Sequence, residues 1–92
     1  SFHGGLSTLA PAKPGAVTAA VMVHHGADDP LVPPREVTLF EHEMHDAGVT
    51  ALDFFAYPGA VHAFTQKDAG HDPTTGVAYN AEADQLSWTR TL

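Results

Sequence analysis

Residues 19–30, AAVMVHHGADDP, contain a short apolar run that ends in a loop. A nearly continuous apolar run of this length is typical of a parallel strand that is buried on both faces, and we predict a strand over residues 19–24. The residues that follow are rich in Gly, Asp and Pro, which favour turns. The stretch therefore predicts a buried parallel strand with two acidic side chains, Asp28 and Asp29, just beyond its carboxyl end.

A helix is predicted directly after this loop. Pro33 and Pro34 stand where a fixed φ suits the start of a helix, and Gly48 stands where a C-terminal cap belongs. Between them, apolar residues at spacings of three and four residues predict one buried face, formed by Val37, Phe40, Met44 and Ala47. Acidic residues are predicted to face solvent: Glu36, Glu41, Glu43 and Asp46.

A second strand is predicted over residues 50–57, TALDFFAY, whose aromatic residues favour β-structure and a place in the core. Pro58 and Gly59 end this strand, and His62 lies in the loop that follows. Residues 66–76 are rich in Gly, Asp and Pro and predict an exposed, mobile loop.

Asn80 is a suitable N-cap for a last helix. The apolar stripe of that helix is predicted to be Ala81, Trp88 and Leu92, with Trp88 in the core. A third, shorter strand is predicted near Phe2, and we assign residues 3–5, His-Gly-Gly, to a structural turn.

The alternation of strands and helices predicts an α/β fold, with two to three parallel strands flanked by helices. In open parallel sheets, functional residues collect in the loops at the carboxyl ends of the strands. Here the first loop holds Asp28 and Asp29, and the second holds His62. An acid followed by a histidine is the second half of the order Ser, Asp, His found in α/β-hydrolases. In such a pair the carboxylate orients the imidazole, which takes the proton of the nucleophile.

Four segments, in order and with matching spacing, resemble the dienelactone hydrolase family. They are residues 1–6 (SFHGGL), 25–33 (HGADDPLVP), 57–64 (YPGAVHAF) and 76–81 (GVAYNA). The resemblance covers nearly all of the chain and implies a partial α/β-hydrolase fold, with residues 1–92 forming a single C-terminal segment. It also implies hydrolysis of a small ester or lactone, without any cofactor.

Within this resemblance, Asp29 matches the triad acid and His62 the triad base, whereas Asp28 is only a neighbour of the acid. The nucleophile elbow of the family, a Cys or Ser between glycines, would lie before residue 1. The chain contains no Cys, and Ser1, Ser7 and Ser87 do not lie between glycines at the required spacing. The family arginine that binds a dienelactone carboxylate is replaced by Gln66, so the resemblance does not extend to that substrate.

Composition excludes several other kinds of function. The net charge is −7, and the four basic residues are scattered, which disfavours binding to nucleic acid or to an anionic membrane surface. His42 and His45 are three residues apart rather than four as in the His-Glu-x-x-His zinc motif, and we predict no metal site. With no cysteine, no signal peptide and no long apolar run, the chain is predicted to be soluble and cytoplasmic.

Two alternatives concern the partners of the chain. A sheet of two or three strands has long unpaired edges, which recruit other strands. Beside a hydrolase half that lacks its nucleophile and is expected to be weakly active or inactive alone, one alternative is a non-catalytic assembly module that forms a homo-oligomer through such an edge. A further alternative is a chain that binds a separate partner supplying the missing N-terminal half.

Overall fold

A computed structural model describes residues 1–92. The chain forms two strands, two helices and two short 3-10 turns, and their order is β1 (Val21–Gly26), α1 (Pro34–Asp46), β2 (Leu52–Tyr57), the turns Lys67–Ala69 and Pro73–Thr75, and α2 (Ala81–Thr91). Neither helix has the length and apolar character needed to cross a membrane.

The two strands form a parallel sheet in which Val21 lies opposite Leu52 and Gly26 lies opposite Tyr57. Because α1 connects them, both strands run in the same direction and their carboxyl ends meet at one edge. The third strand predicted near Phe2 is reduced to a single parallel bridge between Phe2 and His24. The predicted fold of two to three parallel strands with flanking helices is therefore confirmed.

Each face of the sheet has its own small core. On the α1 side, Leu6, Val23 and Val32 are buried, and partly buried side chains pack around them: Val21, Val37, Phe40 and Phe54. On the other side, the buried residues are Tyr57, Ala60, Phe64 and Ala83, with Phe55 against them. The predicted aromatic core of the second strand is thus divided between the two faces, since successive strand residues point to opposite sides.

Helix α1 follows the predicted boundaries closely. Pro33 occupies the N-cap position without a side-chain hydrogen bond, and Gly48 ends the helix with a φ of +90°. Two of the four solvent-facing predictions are wrong, because Glu36 and Glu43 are half-buried. Oε2 of Glu43 accepts a hydrogen bond from the backbone N–H of Ala12 at 2.9 Å. The preceding loop therefore lies against this part of the helix.

Helix α2 begins as predicted, because the side chain of Asn80 accepts a hydrogen bond from the N–H of Ala83 at 3.0 Å. The predicted apolar stripe is wrong. Ala83 and Ser87 face the protein, whereas Ala81 and Leu92 are exposed and Trp88 is 51% exposed. Small side chains on the inner face let the helix lie close to the sheet, and this leaves Trp88 on the surface, where it covers Phe2 at 4.9 Å between ring centroids.

His24 connects β1 to both β2 and α2. Its Nδ1 lies 2.8 Å from the hydroxyl of Tyr57, and its Nε2 lies 2.9 Å from the hydroxyl of Thr91. The ring is 1% exposed and stacks against Phe2 at 4.8 Å. Burial lowers the pKa of His24, and the positive charges of the N-terminus and Arg90 lower it further. His24 is therefore a neutral, structural histidine.

Candidate active site

The loop after β1 holds Asp29 in a buried position at the carboxyl edge of the sheet. Its backbone N–H donates to the carbonyl of Gly26 at 3.0 Å, which closes a tight turn at the strand end. The carboxylate is inaccessible to solvent, and Oδ1 accepts a hydrogen bond from the N–H of Leu31 at 2.9 Å. One carboxylate oxygen is thus used to fix the loop, and Oδ2 is left for another partner.

The loop after β2 holds His62 at the same edge. Its backbone is fixed on both sides by residues of the following segment, because the N–H of His62 donates to Gly76 at 3.1 Å and its carbonyl accepts from Ala78 at 3.2 Å. The next residue, Ala63, has a φ of +61°, a left-handed conformation that is uncommon for a residue other than glycine. This turn buries Phe64 completely while His62 stays partly accessible, with 29% of its side chain exposed.

The structure brings Asp29 and His62 together. The distance from His62 Nδ1 to Asp29 Oδ2 is 2.9 Å. An ionised carboxylate can only accept hydrogen bonds, so Nδ1 carries the proton and donates it to Asp29. The lone pair of the neutral ring is then on Nε2, which makes no hydrogen bond within the chain. An imidazole held in this tautomer, with Nε2 available, is arranged to take a proton from a neighbouring group.

Asp28 has no part in this pair. Its residue is exposed, and its backbone N–H donates to the carbonyl of Ala60 at 2.9 Å. Asp28 thus lies beside the predicted acid and does not contact His62 through its side chain.

The end of β1 lies close to the backbone of the histidine loop at Gly26. A Cβ atom at this position would lie 2.7 Å from the carbonyl oxygens of both Ala60 and Val61. Gly26 therefore allows the end of β1 to lie directly against the histidine loop, which brings Asp29 within reach of His62.

His3 is a neighbour of the pair to which the sequence analysis assigned no side-chain role. Its ring lies edge-on to that of His62, with 5.8 Å between centroids, and its Nε2 lies 2.8 Å from the hydroxyl of Thr65. Burial lowers the pKa of His3, and the nearby His62 lowers it further. The available signal in the sequence is the short strand predicted near Phe2, since the residue after such a strand lies at the carboxyl edge of the sheet; the structure keeps this strand as one parallel bridge.

His25 packs on the α1 side of the sheet, against Phe54, with 5.8 Å between ring centroids. It is 4% exposed, and its Nδ1 is buried without a hydrogen-bond partner. Burial lowers the pKa of His25, although the carboxylate of Asp29 opposes this effect. No three His, Asp or Glu side chains come together in an arrangement that could hold a metal ion.

Comparisons with known proteins place the chain in a family. A family model described as the dienelactone hydrolase family matches residues 1–92. The chain belongs to the dienelactone hydrolase family. This confirms the resemblance read from the four segments and gives the chain a hydrolase-family origin. The catalytic roles of Asp29 and His62 remain predictions.

The chain spans 58% of the curated relative that it matches and about a third of each of two similar solved structures. An uncharacterized protein of Caenorhabditis elegans, K02A2.1, is 32% identical over 93 aligned positions, which cover 100% of this chain and 58% of that protein. The solved structure of m3DLH is 33% identical, with a TM-score of 0.84, over 98% of this chain and 37% of m3DLH. A dienelactone hydrolase-like promiscuous phosphotriesterase from metagenomic libraries, P91, is 36% identical with a TM-score of 0.74, over 84% of this chain and 32% of P91.

Proposed function

We propose that this chain provides the general base and its orienting acid for a carboxylic ester or lactone hydrolase. The observation that carries the proposal is the hydrogen bond of 2.9 Å between His62 Nδ1 and the buried Asp29 carboxylate, with Nε2 left free. A buried carboxylate bonded to a partly accessible imidazole is the arrangement that activates a Ser or Cys nucleophile.

The nucleophile in this proposal comes from outside the 92 residues. The chain has no cysteine, and Ser87, the most deeply buried serine, donates its hydroxyl to the carbonyl of Asp84 within α2. In the proposed reaction, Nε2 of His62 removes the proton from the nucleophile as it attacks the substrate carbonyl carbon. The imidazolium then gives this proton to the leaving alkoxide, and water repeats the sequence on the acyl-enzyme. Asp29 keeps Nδ1 protonated and stabilises the positive charge throughout.

A chimera with m3DLH tests this proposal. Residues 1–92 would replace the segment of m3DLH on which they superpose, and hydrolysis of p-nitrophenyl esters and small lactones would be measured beside unchanged m3DLH. We expect saturable turnover in the chimera, with a loss of about 10⁴-fold in kcat for Asp29→Asn and about 10⁶-fold for His62→Ala. Asp28→Asn is the matched control and should leave kcat unchanged. If His62→Ala retains the kcat of the chimera, the proposed base is wrong.

The 92-residue chain alone gives a second test. Without a nucleophile, His62 can only activate water, so we expect no saturable ester hydrolysis. Turnover that is saturable in this chain and lost in His62→Ala would show that the chain needs no group from elsewhere. Because the P91 structure is described as that of a promiscuous phosphotriesterase, phosphotriesters belong in the same substrate panel.

A second candidate function is that of a non-catalytic assembly module. β2 pairs with β1 alone, so its outer edge has no partner strand, and large apolar side chains such as Leu31 and Leu39 are exposed. An open edge favours pairing with a second copy or with a chain that supplies the N-terminal half. A homodimer in sedimentation at micromolar concentration would support this function, and a sharp monomer peak would contradict it.

A cytoplasmic location is also part of the proposal. The absence of cysteine fits a reducing compartment, although it does not require one. Cell fractionation with an antibody against the chain would test this location, and recovery in the secreted fraction would contradict it.

A further inference from the structure

His3 reaches the candidate site because of how the first three residues pair with β1. The N–H of His24 donates to the carbonyl of Ser1, and the N–H of His3 donates to the carbonyl of His24, both at 2.8 Å. This alternation is the hydrogen-bond pattern between two parallel strands. His3 is therefore the first residue beyond the carboxyl end of this short paired segment. Its φ of +40° lies in the left-handed region, which is unfavourable for a residue with a Cβ atom. Contacts of the side chain must offset this cost.

The side chain of His3 contacts the loop that carries His62. Nε2 lies 2.8 Å from the hydroxyl of Thr65, three residues after His62. The ring also lies edge-on to Phe64, at 5.3 Å between centroids and 77°, and edge-on to His62, at 5.8 Å and 66°. One side chain thus touches three residues of a four-residue stretch.

This stretch needs support from another part of the chain because it contains Ala63, whose φ is +61°. The left-handed backbone of Ala63 is unfavourable, so it would change to a more common conformation if the side chains of its neighbours were not held in place. Two hydrogen bonds hold the backbone of the stretch. The N–H of His62 donates to the carbonyl of Gly76 at 3.1 Å, and the carbonyl of Phe64 accepts from the N–H of Asn80 at 3.0 Å. Those bonds fix the main chain, whereas His3 contacts the side chains.

We propose that His3 is a positioning residue for His62, which it holds in line with Asp29 through the hydrogen bond to Thr65 and the edge-on contact between the two rings. This role rests on the proposed function of His62 as a base. An uncharged ring suits the position, because a fixed positive charge beside His62 would oppose the charge that His62 gains during the reaction. The burial that lowers the pKa of His3 keeps it uncharged near neutral pH.

The test measures how fast the Nδ1 proton of His62 exchanges with solvent in the 92-residue chain, by NMR. His3→Phe keeps the ring and removes the hydrogen bond, and Thr65→Val keeps the shape and removes the hydroxyl. Each change should accelerate exchange of the Nδ1 proton about fivefold, the effect of one lost hydrogen bond. The double variant should exchange no faster than either single variant, because both remove the same bond. His3→Gln, whose amide can reach Thr65, should restore slow exchange.

Two controls separate this role from a general effect on folding. The amide of Val23 in the core of β1 should keep its exchange rate in every variant, and His71→Phe, at an exposed position, should leave the Nδ1 proton unchanged. Acceleration of the Val23 amide by the same factor would show that His3 acts only on global stability and would overturn the proposal. Thr65→Val, which removes a single hydroxyl, keeps the test available if His3→Phe does not fold.

The outcomes also distinguish this proposal from the proposed function. If the unaltered chain shows no protected Nδ1 proton, the pair of Asp29 and His62 is absent and the proposed function fails with it. If the proton is protected and neither His3→Phe nor Thr65→Val accelerates its exchange, the pair stands and the role of His3 is wrong.

Discussion

Gly26→Ala should disrupt the candidate site without touching either of its ionisable side chains. The added Cβ would lie 2.7 Å from the carbonyl oxygens of Ala60 and Val61. Carbon and oxygen atoms in close contact usually stay at least about 3.3 Å apart, so the histidine loop must move away from β1 by about 0.6 Å. If the whole shift reaches the pair, the distance of 2.9 Å between His62 Nδ1 and Asp29 Oδ2 grows to about 3.5 Å, the outer limit of a hydrogen bond.

The energetic cost of Gly26→Ala should be that of overpacking a rigid contact, about 1–3 kcal/mol in the free energy of unfolding. Both clashing atoms are backbone oxygens, so no side chain can rotate to make room. Urea denaturation gives the loss of stability, and the NMR signal of the His62 Nδ1 proton reports on the pair. Gly5→Ala is the matched control, because a Cβ atom there meets nothing within 4 Å and should change stability by less than about 0.5 kcal/mol. If Gly26→Ala is as stable as the control and keeps the protected proton, the close approach of the loops does not position the pair.

Three further predictions concern stability. Burial lowers the pKa of both His24 and His25 below 6.5, so the unfolded chain binds more protons than the folded one as the pH falls below that value. The contribution of these two histidines to the free energy of unfolding should therefore be complete above pH 6.5. Below that pH it should decrease by at most about 1.4 kcal/mol per pH unit for each histidine. A urea midpoint that rises on acidification would contradict this. Asn80→Ala should lower stability by about 1 kcal/mol through loss of the α2 cap, measured as a shift in urea midpoint; an unchanged midpoint would show that the cap contributes nothing. Phe64→Ala should lower the free energy of unfolding by about 3–5 kcal/mol, and Trp88→Ala by clearly less, because Phe64 is fully buried and Trp88 is 51% exposed. Equal losses of stability in thermal denaturation of the two variants would refute this.

The features predicted well from sequence are those governed by local chemistry. The apolar run before Gly26 specifies a strand, and the prolines at the start of α1 and the N-cap at Asn80 each specify a helix start, through neighbouring residues. Asp29 and His62 could be paired in advance because they follow consecutive parallel strands, whose carboxyl ends meet at one edge of the sheet.

The features missed from sequence depend on contacts between distant segments. The apolar stripe predicts a core position for Trp88, but the rotation of α2 is set by the small inner residues Ala83 and Ser87 and by the hydrogen bond between Thr91 and His24. Helix periodicity predicts that Glu43 faces solvent, because periodicity does not show that the loop at Ala12 packs against this part of the helix. Such contacts become visible only when the packing is known.

The tautomer of His62 tests the central claim most directly. Long-range ¹H–¹⁵N NMR of the 92-residue chain in alkaline buffer distinguishes a neutral ring protonated on Nδ1 from one protonated on Nε2, with Asp29→Asn as the comparison. We expect a single tautomer with the proton on Nδ1, and a change in that preference when the carboxylate of Asp29 is removed. A ring protonated on Nε2, or a rapid mixture of both tautomers that Asp29→Asn does not alter, would contradict the pairing on which the proposed function rests.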